Sequence, residues 1–259
     1  MYWCTFGPTV HSSPKVLESC SSKSSTDGSQ SVSDHYTRPS GTNLRVAVLN
    51  ANSIKGKRAM LAAVCDSIDP DVILVTETKL DSSMSSSEFL PKNYLAHRLD
   101  RDVNGGGVMV AVRNIYAVDE VTINQVNCEF VCVRIAIQKS NPLYVAAYCR
   151  PPDELTAQLD GFEAVLEHLQ SKLNRNGKAT LLVGGDFNVG DVNWDSLAMK
   201  VDSKKKSACN RMLDIITGAQ LTQLQKEPTC QDQVLDLLCT STCLQSFTLE
   251  VHHDHSRNL

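Results

Sequence analysis

Leu181-Leu182-Val183-Gly184-Gly185-Asp186-Phe187-Asn188 is an apolar run that ends in two glycines, a carboxylate and, two residues on, a carboxamide. A short, bounded apolar run of this kind fits a strand buried on both faces, and here it delivers polar side chains to its mouth. Residues two apart on an extended chain share a face, so Asp186 and Asn188 would point one way while Phe187 packs inward. Asp186 could align or deprotonate a water, and Asn188 could hold that water or a phosphate oxygen. An Asx turn after Gly184-Gly185 is the other use of these residues.

The same design recurs along the chain. Residues 44–49 read as a strand ending at Asn50, with Asn52 two residues on. The nearly all-apolar run 72–75 delivers Glu77, an oxygen donor suited to a hard cation such as magnesium or manganese. Residues 143–147 end at Tyr148, whose phenol could donate to a phosphate or sit in the core. Asp236 is the odd polar residue in the strand 234–239, and a buried acid needs a partner. Val251-His252-His253-Asp254-His255-Ser256 places three imidazoles and an acid in five residues. A zinc cluster there would lack a remote Cys/His pair. The better use assigns Asp254 to a metal or water and His255 to a phosphoryl oxygen, with Asp236 favouring its imidazolium form.

Between these strands, Met60, Leu61, Val64 and Ile68 carry helical spacing over 57–67, stopped by Asp69-Pro70. Asp153-Glu154 opens a second helix to about residue 173, with Leu159, Phe162, Leu166 and Leu169 on one side. Residues 207–217 form a third, closed by Gly218. Residues 108–112, 130–137 and 247–251 are further strands. Two packed sheets with helices outside suit this order, and a doubly wound parallel sheet is the alternative. Gly105-Gly106-Gly107 precedes a strand and not a helix, so it fails as a nucleotide-binding loop and reads as a tight turn or close sheet approach. Residues 1–43 are Ser-rich without periodicity and read as a disordered leader, with the domain over 44–259.

The chain has 259 residues, 42% hydrophobic, enough for one large domain with a substantial core. No stretch is long and apolar enough to span a membrane. The formal net charge of −4 gives no global pull towards nucleic acid and argues against a nucleic-acid-coating protein. A phosphate substrate stays open, because a metal ion and a few local cations can offset the field. Arg101, Arg113 and Arg150 are candidate contacts to a DNA backbone, or solvated surface groups. The ten cysteines show no metal-knuckle pairs and read as buried free thiols of a reducing compartment.

Taken as a set, Val48-Leu49-Asn50, Val75-Thr76-Glu77-Thr78, Asp100-Arg101 with Gly105-Gly106-Gly107-Val108, Tyr148-Cys149-Arg150-Pro151-Pro152, Gly185-Asp186-Phe187-Asn188, Leu235-Asp236-Leu237 and Asp254-His255-Ser256 resemble the endonuclease/exonuclease/phosphatase superfamily. Within it, the resemblance is to the endonuclease domain of non-LTR retrotransposons, over about residues 44–256. It implies a four-layer α/β/β/α sandwich of two mostly antiparallel sheets flanked by helices. It implies that Glu77 binds a catalytic Mg2+ (or Mn2+), with Asn52 and Asp254 near that metal. Asn50 and Tyr148 would meet the phosphate, Asp186 would orient water beside Asn188, and His255, held by Asp236, would stabilise the transition state. The implied substrate is double-stranded DNA, and from that substrate a nuclear location is expected, with the cytoplasm as the alternative. A phosphomonoesterase or phospholipid phosphodiesterase of the same superfamily and an inactive or merely DNA-binding relic are the rival readings. Two departures stand out: His253 replaces the usual Ser, and only Arg257-Asn258-Leu259 follow the Asp-His-Ser motif where relatives continue into another strand, so a last strand is expected to be lacking.

Overall fold

The computed structural model describes residues 2–6, 44–102, 104–123, 127–137, 141–152, 157–175, 179–199, 206–241 and 247–251. In chain order the strands are β1 (Tyr2–Phe6), β2 (Leu44–Asn50), β3 (Val72–Thr76), β4 (Tyr94–Leu99), β5 (Val108–Arg113), β6 (Ala117–Glu120), β7 (Glu129–Ala136), β8 (Leu143–Cys149), β9 (Thr180–Asp186), β10 (Val192–Asn193), β11 (Ala198–Met199), β12 (Thr222–Gln223), β13 (Asp236–Thr240) and β14 (Phe247–Val251). The helices are α1 (Arg58–Ile68), α2 (Ala157–Arg175) and α3 (Lys206–Gly218).

The strands form two six-stranded sheets, ordered β14-β1-β2-β3-β5-β4 and β12-β13-β9-β8-β7-β6, with β10-β11 as a small hairpin. Each large sheet holds one parallel pair, β2 with β3 and β8 with β9, and its other pairs are antiparallel. The parallel pairs follow from connectivity: α1 links β2 to β3 and α2 links β8 to β9, the crossovers that a parallel pair requires. Strand parity then sorts the side chains into layers. Val46, Val48, Leu74, Val110, Val133, Val145, Ala147, Leu182 and Leu238 pack sheet against sheet. Ala47, Ile73, Val75 and Met109 turn outward onto Leu61 and Cys65 of α1. Tyr144, Tyr148, Leu181 and Val183 turn onto Phe162, Leu166 and Leu169 of α2 and Met212 and Ile215 of α3. The result is the expected α/β/β/α sandwich of two mostly antiparallel sheets.

Helix α1 ends where the sequence says it should. Asp69 takes the left-handed conformation at φ 52, donates its backbone N–H to Cys65, and hands the chain to Pro70. The strand expected from residue 234 begins instead at Asp236. The Leu235 and Asp236 amides both donate to Thr229 Oγ1, at 3.0 and 3.1 Å. Strands β4 and β6 escape a reading by apolar runs because they are sheet edges whose open sides admit His97, Arg98, Asp119 and Glu120. Asp153 and Glu154, expected to open α2, lie outside the described residues.

The segment expected to stand outside the domain contributes a strand to it. Tyr2–Phe6 lies between β14 and β2, antiparallel to both, with Cys4 opposite Leu249 on one side and Val46 on the other. The boundary at residue 44 therefore does not hold for these five residues. Their period is too short to be read: five residues, Tyr-Trp-Cys-Thr-Phe, give no alternation that sets them apart from the Ser-rich run that follows.

Candidate active site

Parity and topology bring one set of polar groups to one mouth of the sandwich. Asn50 continues the inward face of Val46 and Val48, Cys149 that of Val145 and Ala147, and Asp186 that of Leu182. Asp236, opposite Asp186 in the β9–β13 ladder, shares the face of Leu238. Asn50 Nδ2 crosses from one sheet to the other and donates to Asp186 Oδ2 at 2.8 Å. Close approach of the sheets needs the two glycines before Asp186. A Cβ on Gly184 would come within 2.7 Å of Leu74 Cδ1, and one on Gly185, at φ +141, would collide with the Tyr148 carbonyl.

Three loops on the first sheet's side are laced together. Ala51, Ser53 and Ile54 donate backbone N–H groups to Thr76, Glu77 and Thr78 at 2.8–3.0 Å, and Thr78 and Lys79 donate to Gly107 and Gly106. Glu77 emerges with φ 53, its Oε2 accepting from the Gly106 N–H at 3.1 Å and its Oε1 from Cys149 Sγ at 3.7 Å. Asn52, Ser53, Glu77, Lys79 and Asn188 all hold positive φ on this rim. Non-glycine residues persist in that region only where surrounding structure over-determines them, and they cluster at functional sites.

The electrostatics are those of crowded acids. Burial first, then the Asp236 charge, push the Asp186 carboxyl up to about 7, against the lowering effect of hydrogen bonds from the Asn188 backbone and the Asn50 amide. Glu129 is also raised, mainly by burial and further by Glu77, while the Gly107 amide and Arg101 oppose the shift. Among the described residues no group of three or more His, Cys, Asp and Glu side chains stands ready to hold a metal ion. That does not conflict with a magnesium site, because Mg2+ keeps several waters and takes only one or two carboxylates plus substrate phosphate. Glu77 and Asp186, close enough for their charges to act on each other, supply hard oxygen donors and an excess of negative charge that a divalent cation would offset, while the Asn50 amide oxygen accepts from the Asn52 N–H at 3.1 Å.

The other expected site residues divide. Asn188 forms the Asx turn: its N–H donates to Asp186 Oδ1 at 3.1 Å and its Nδ2 to the Arg150 carbonyl at 2.6 Å. Asn52 does not face Glu77; its Oδ1 accepts from Lys79 Nζ at 2.8 Å. Tyr148 is fully buried on the helix-facing side, its ring stacked on Phe162 with centroids 4.0 Å apart and edge-on to Phe187. Being one residue out of phase with Asp186, it cannot reach a phosphate at the mouth, and Cys149 occupies that position. Arg113 ends β5 at the far side of the sheet, where it bonds the Pro70 carbonyl and Asp69 and lies over the Tyr94 ring. Arg150 is 2% exposed, with Nη1 donating to the Asn188 carbonyl at 3.3 Å. Neither is placed as a DNA contact. Arg101 is held by Glu129 and Gly105. Asp254 and His255, and with them the bond expected from Asp236, lie outside the described residues.

Four participants escape a reading by strand ends. Cys149 could have been found from the register that sets it opposite Asp186. Glu129 is a lone acid opening the apolar strand β7. Lys57 Nζ donates to the Ala51 carbonyl at 2.5 Å and Lys79 to Asn52, so two ammonium groups bracket the rim.

Two layers of packed mixed sheet, helices outside, and an acid-amide mouth between the sheets define an endonuclease/exonuclease/phosphatase-type sandwich. Residues 143–257 match a family model described as Endonuclease-reverse transcriptase. Among solved structures, the endonuclease domain of TRAS1, a telomere-specific non-LTR retrotransposon, superposes with a TM-score of 0.56 at 17% identity, over 77% of this chain and 84% of that one. The AP endonuclease LMAP from Leishmania major gives 0.59 at 11% identity, over 76% and 78%. The 3′ phosphatase NExo from Neisseria gives 0.54 at 14%, over 76% and 86%. No curated protein matches the sequence. The chain shares the fold of these structures, and the family-model match covers its residues 143–257.

Proposed function

We propose that this protein is a Mg2+-dependent endonuclease that nicks double-stranded DNA in the manner of retrotransposon target-site cleavage. The observation that carries the reading is the Asn50–Asp186 bond across the sheets, set beside Glu77. It is supported by the family-model match and by the TRAS1 endonuclease domain among the structural relatives.

When bound, the divalent cation (Mg2+, with Mn2+ as substitute) neutralises charge on the scissile phosphate; Glu77 would hold it. The chain's own groups do the rest. Asp186, whose carboxyl is pushed up by burial and by the Asp236 charge in the metal-free chain, accepts a proton from the attacking water once it is ionised. Asn50 fixes the orientation of that carboxylate through the 2.8 Å bond. Asn188 holds the turn in which Asp186 sits, through its backbone N–H. Asp254 and His255 follow β14 by three and four residues. In this reading they act at the same mouth, His255 donating to a non-bridging oxygen, oriented by Asp236. Lys57 and Lys79 on the rim supply local positive charge in a chain of net charge −4. A nuclear location follows from the DNA substrate.

The substrate class is tested by offering the purified chain supercoiled plasmid, a phosphomonoester and a phosphoinositide in parallel with Mg2+. Nicked plasmid with a 3′-hydroxyl at the break, and no phosphate or lipid turnover, is the expected pattern. Lipid or monoester turnover without DNA cleavage would reverse the assignment to the rival branch of the superfamily.

A further inference from the structure

Resting on the reading of Glu77 as the metal carboxylate, we infer that Glu129 and Arg101 form a positioning pair that sets Glu77 through the Gly105-Gly106-Gly107 turn. Neither residue touches the substrate in this scheme.

The turn is gripped along its length. Arg101 Nε donates to the Gly105 carbonyl at 3.0 Å, and the Gly107 N–H donates to Glu129 Oε2 at 2.7 Å. The two clamps are tied to each other by Arg101 Nη1 on Glu129 Oε1 at 2.7 Å. The carbonyls of Gly106 and Gly107 accept from Lys79 and Thr78, the residues directly after Glu77. One N–H is left facing the mouth, that of Gly106, and it meets Glu77 Oε2 at 3.1 Å. The carboxylate is therefore fixed by a backbone donor whose own position is set on one side by Arg101 and on the other by Glu129.

This arrangement explains why three glycines stand in a row before a strand. A Cβ on Gly106, at φ +70, would come within 2.5 Å of both Arg101 Cζ and Glu129 Oε1, the two atoms that close the clamp. Gly107, at φ +85, has Thr78 Oγ1 in the same place. The glycines let the ion pair lie against the backbone of the turn. Glu129 is 7% exposed, and Arg101 is the cation paired with it. The Arg101 side chain, 40% exposed, covers the outer face. Losing a direct partner of a metal ligand, here the Gly106 N–H, typically changes metal affinity by about 10- to 100-fold, and Glu129 and Arg101 act through that partner.

The test uses the full chain with Glu129→Gln and Arg101→Met, each checked for folding by circular dichroism because the second leaves the buried Glu129 without its cation. Mn2+ binding to resting protein is followed by electron paramagnetic resonance, amide exchange of the 104–109 region is measured in chelator, and plasmid nicking is titrated with Mg2+. Both variants are expected to bind Mn2+ more weakly by up to about 10-fold, to exchange the Gly106 and Gly107 amides faster, and to recover most of their nicking rate at saturating Mg2+. A purely structural role would lower thermal stability without moving the metal titration. Folded variants with wild-type Mn2+ affinity overturn the inference alone. A wild-type chain that binds no Mn2+ sinks the reading of Glu77, and the inference with it.

Discussion

Asn50, at the end of β2 in one sheet, donates its amide to Asp186, at the end of β9 in the other, 136 residues away in sequence. Each lies at the last position of a strand that follows the inward parity of the sheet-to-sheet core. The bond lowers the proton affinity of an acid that burial and Asp236 raise. Asn50→Ala removes it, so the Asp186 carboxyl should ionise at still higher pH. At neutral pH nicking should fall roughly 10- to 100-fold, the range for a hydrogen bond to a charged group, with partial recovery as pH is raised. A pH–rate profile checks this, and an unshifted profile would remove Asp186 from the role of base.

The same acid makes a prediction about stability without metal. The folded protein holds the Asp186 proton up to about 7, whereas an unperturbed Asp loses it near 3.8. Between those values the native state binds more protons than the unfolded state, so this group makes stability fall as pH rises from about 4 to about 7. Urea unfolding in chelator should therefore show wild type losing more stability between pH 5 and pH 8 than Asp186→Asn does. Parallel pH dependences for the two would contradict the shift.

Tyr148 is predicted to be a core residue. Its hydroxyl has no hydrogen-bond partner among the described residues, and its ring is packed among Phe130, Phe162 and Phe187. Tyr148→Phe should leave stability unchanged or improved, since removing an unsatisfied buried hydroxyl saves about 1–3 kcal/mol of desolvation, and nicking should stay within a few-fold of wild type. Tyr148→Ala should cost about 3–5 kcal/mol. A folded Tyr148→Phe with activity lost by two orders of magnitude would restore a direct role for the phenol.

β14, which precedes Asp254-His255 by three residues, joins the first sheet through β1. Thr5 lies opposite Thr248 on one side and Arg45 on the other. Thr5→Pro deletes a ladder N–H inside a central strand, a change that proline tolerates only at edges and bulges. Amide exchange over 247–251 should rise while α2 and β8 stay protected, and nicking should fall with it. Unchanged protection of 247–251 would show that β14 is held without β1.

The layers were legible because buried strands and helices differ in period: residues 72–75 and 181–183 are continuous apolar runs, and Leu159, Phe162, Leu166 and Leu169 repeat at helical spacing. The ends of such runs also pointed to Asn50, Glu77 and Asp186, and Asp236 stood out as the polar residue inside the strand expected over 234–239. What stayed hidden depends on phase and on distance in space. Tyr148 and Cys149 are neighbours on one strand, and only the register against β9 says which of them faces Asp186. Arg113 and Arg150 read as free cations until Asp69, the Pro70 carbonyl and the Asn188 carbonyl are placed around them. Glu129 gives no local sign that its partners lie 22 and 28 residues away.

The most direct measurement is Mg2+-dependent nicking of supercoiled plasmid by the full chain beside Glu77→Ala and Asp186→Asn, with circular dichroism on all three. The expected result is nicking by wild type that stops in chelator and falls about 100-fold or more in both folded variants. A folded wild-type chain that leaves plasmid intact in Mg2+ and in Mn2+, or one whose nicking survives both substitutions, would contradict the assignment of this mouth as a metal-dependent nuclease site.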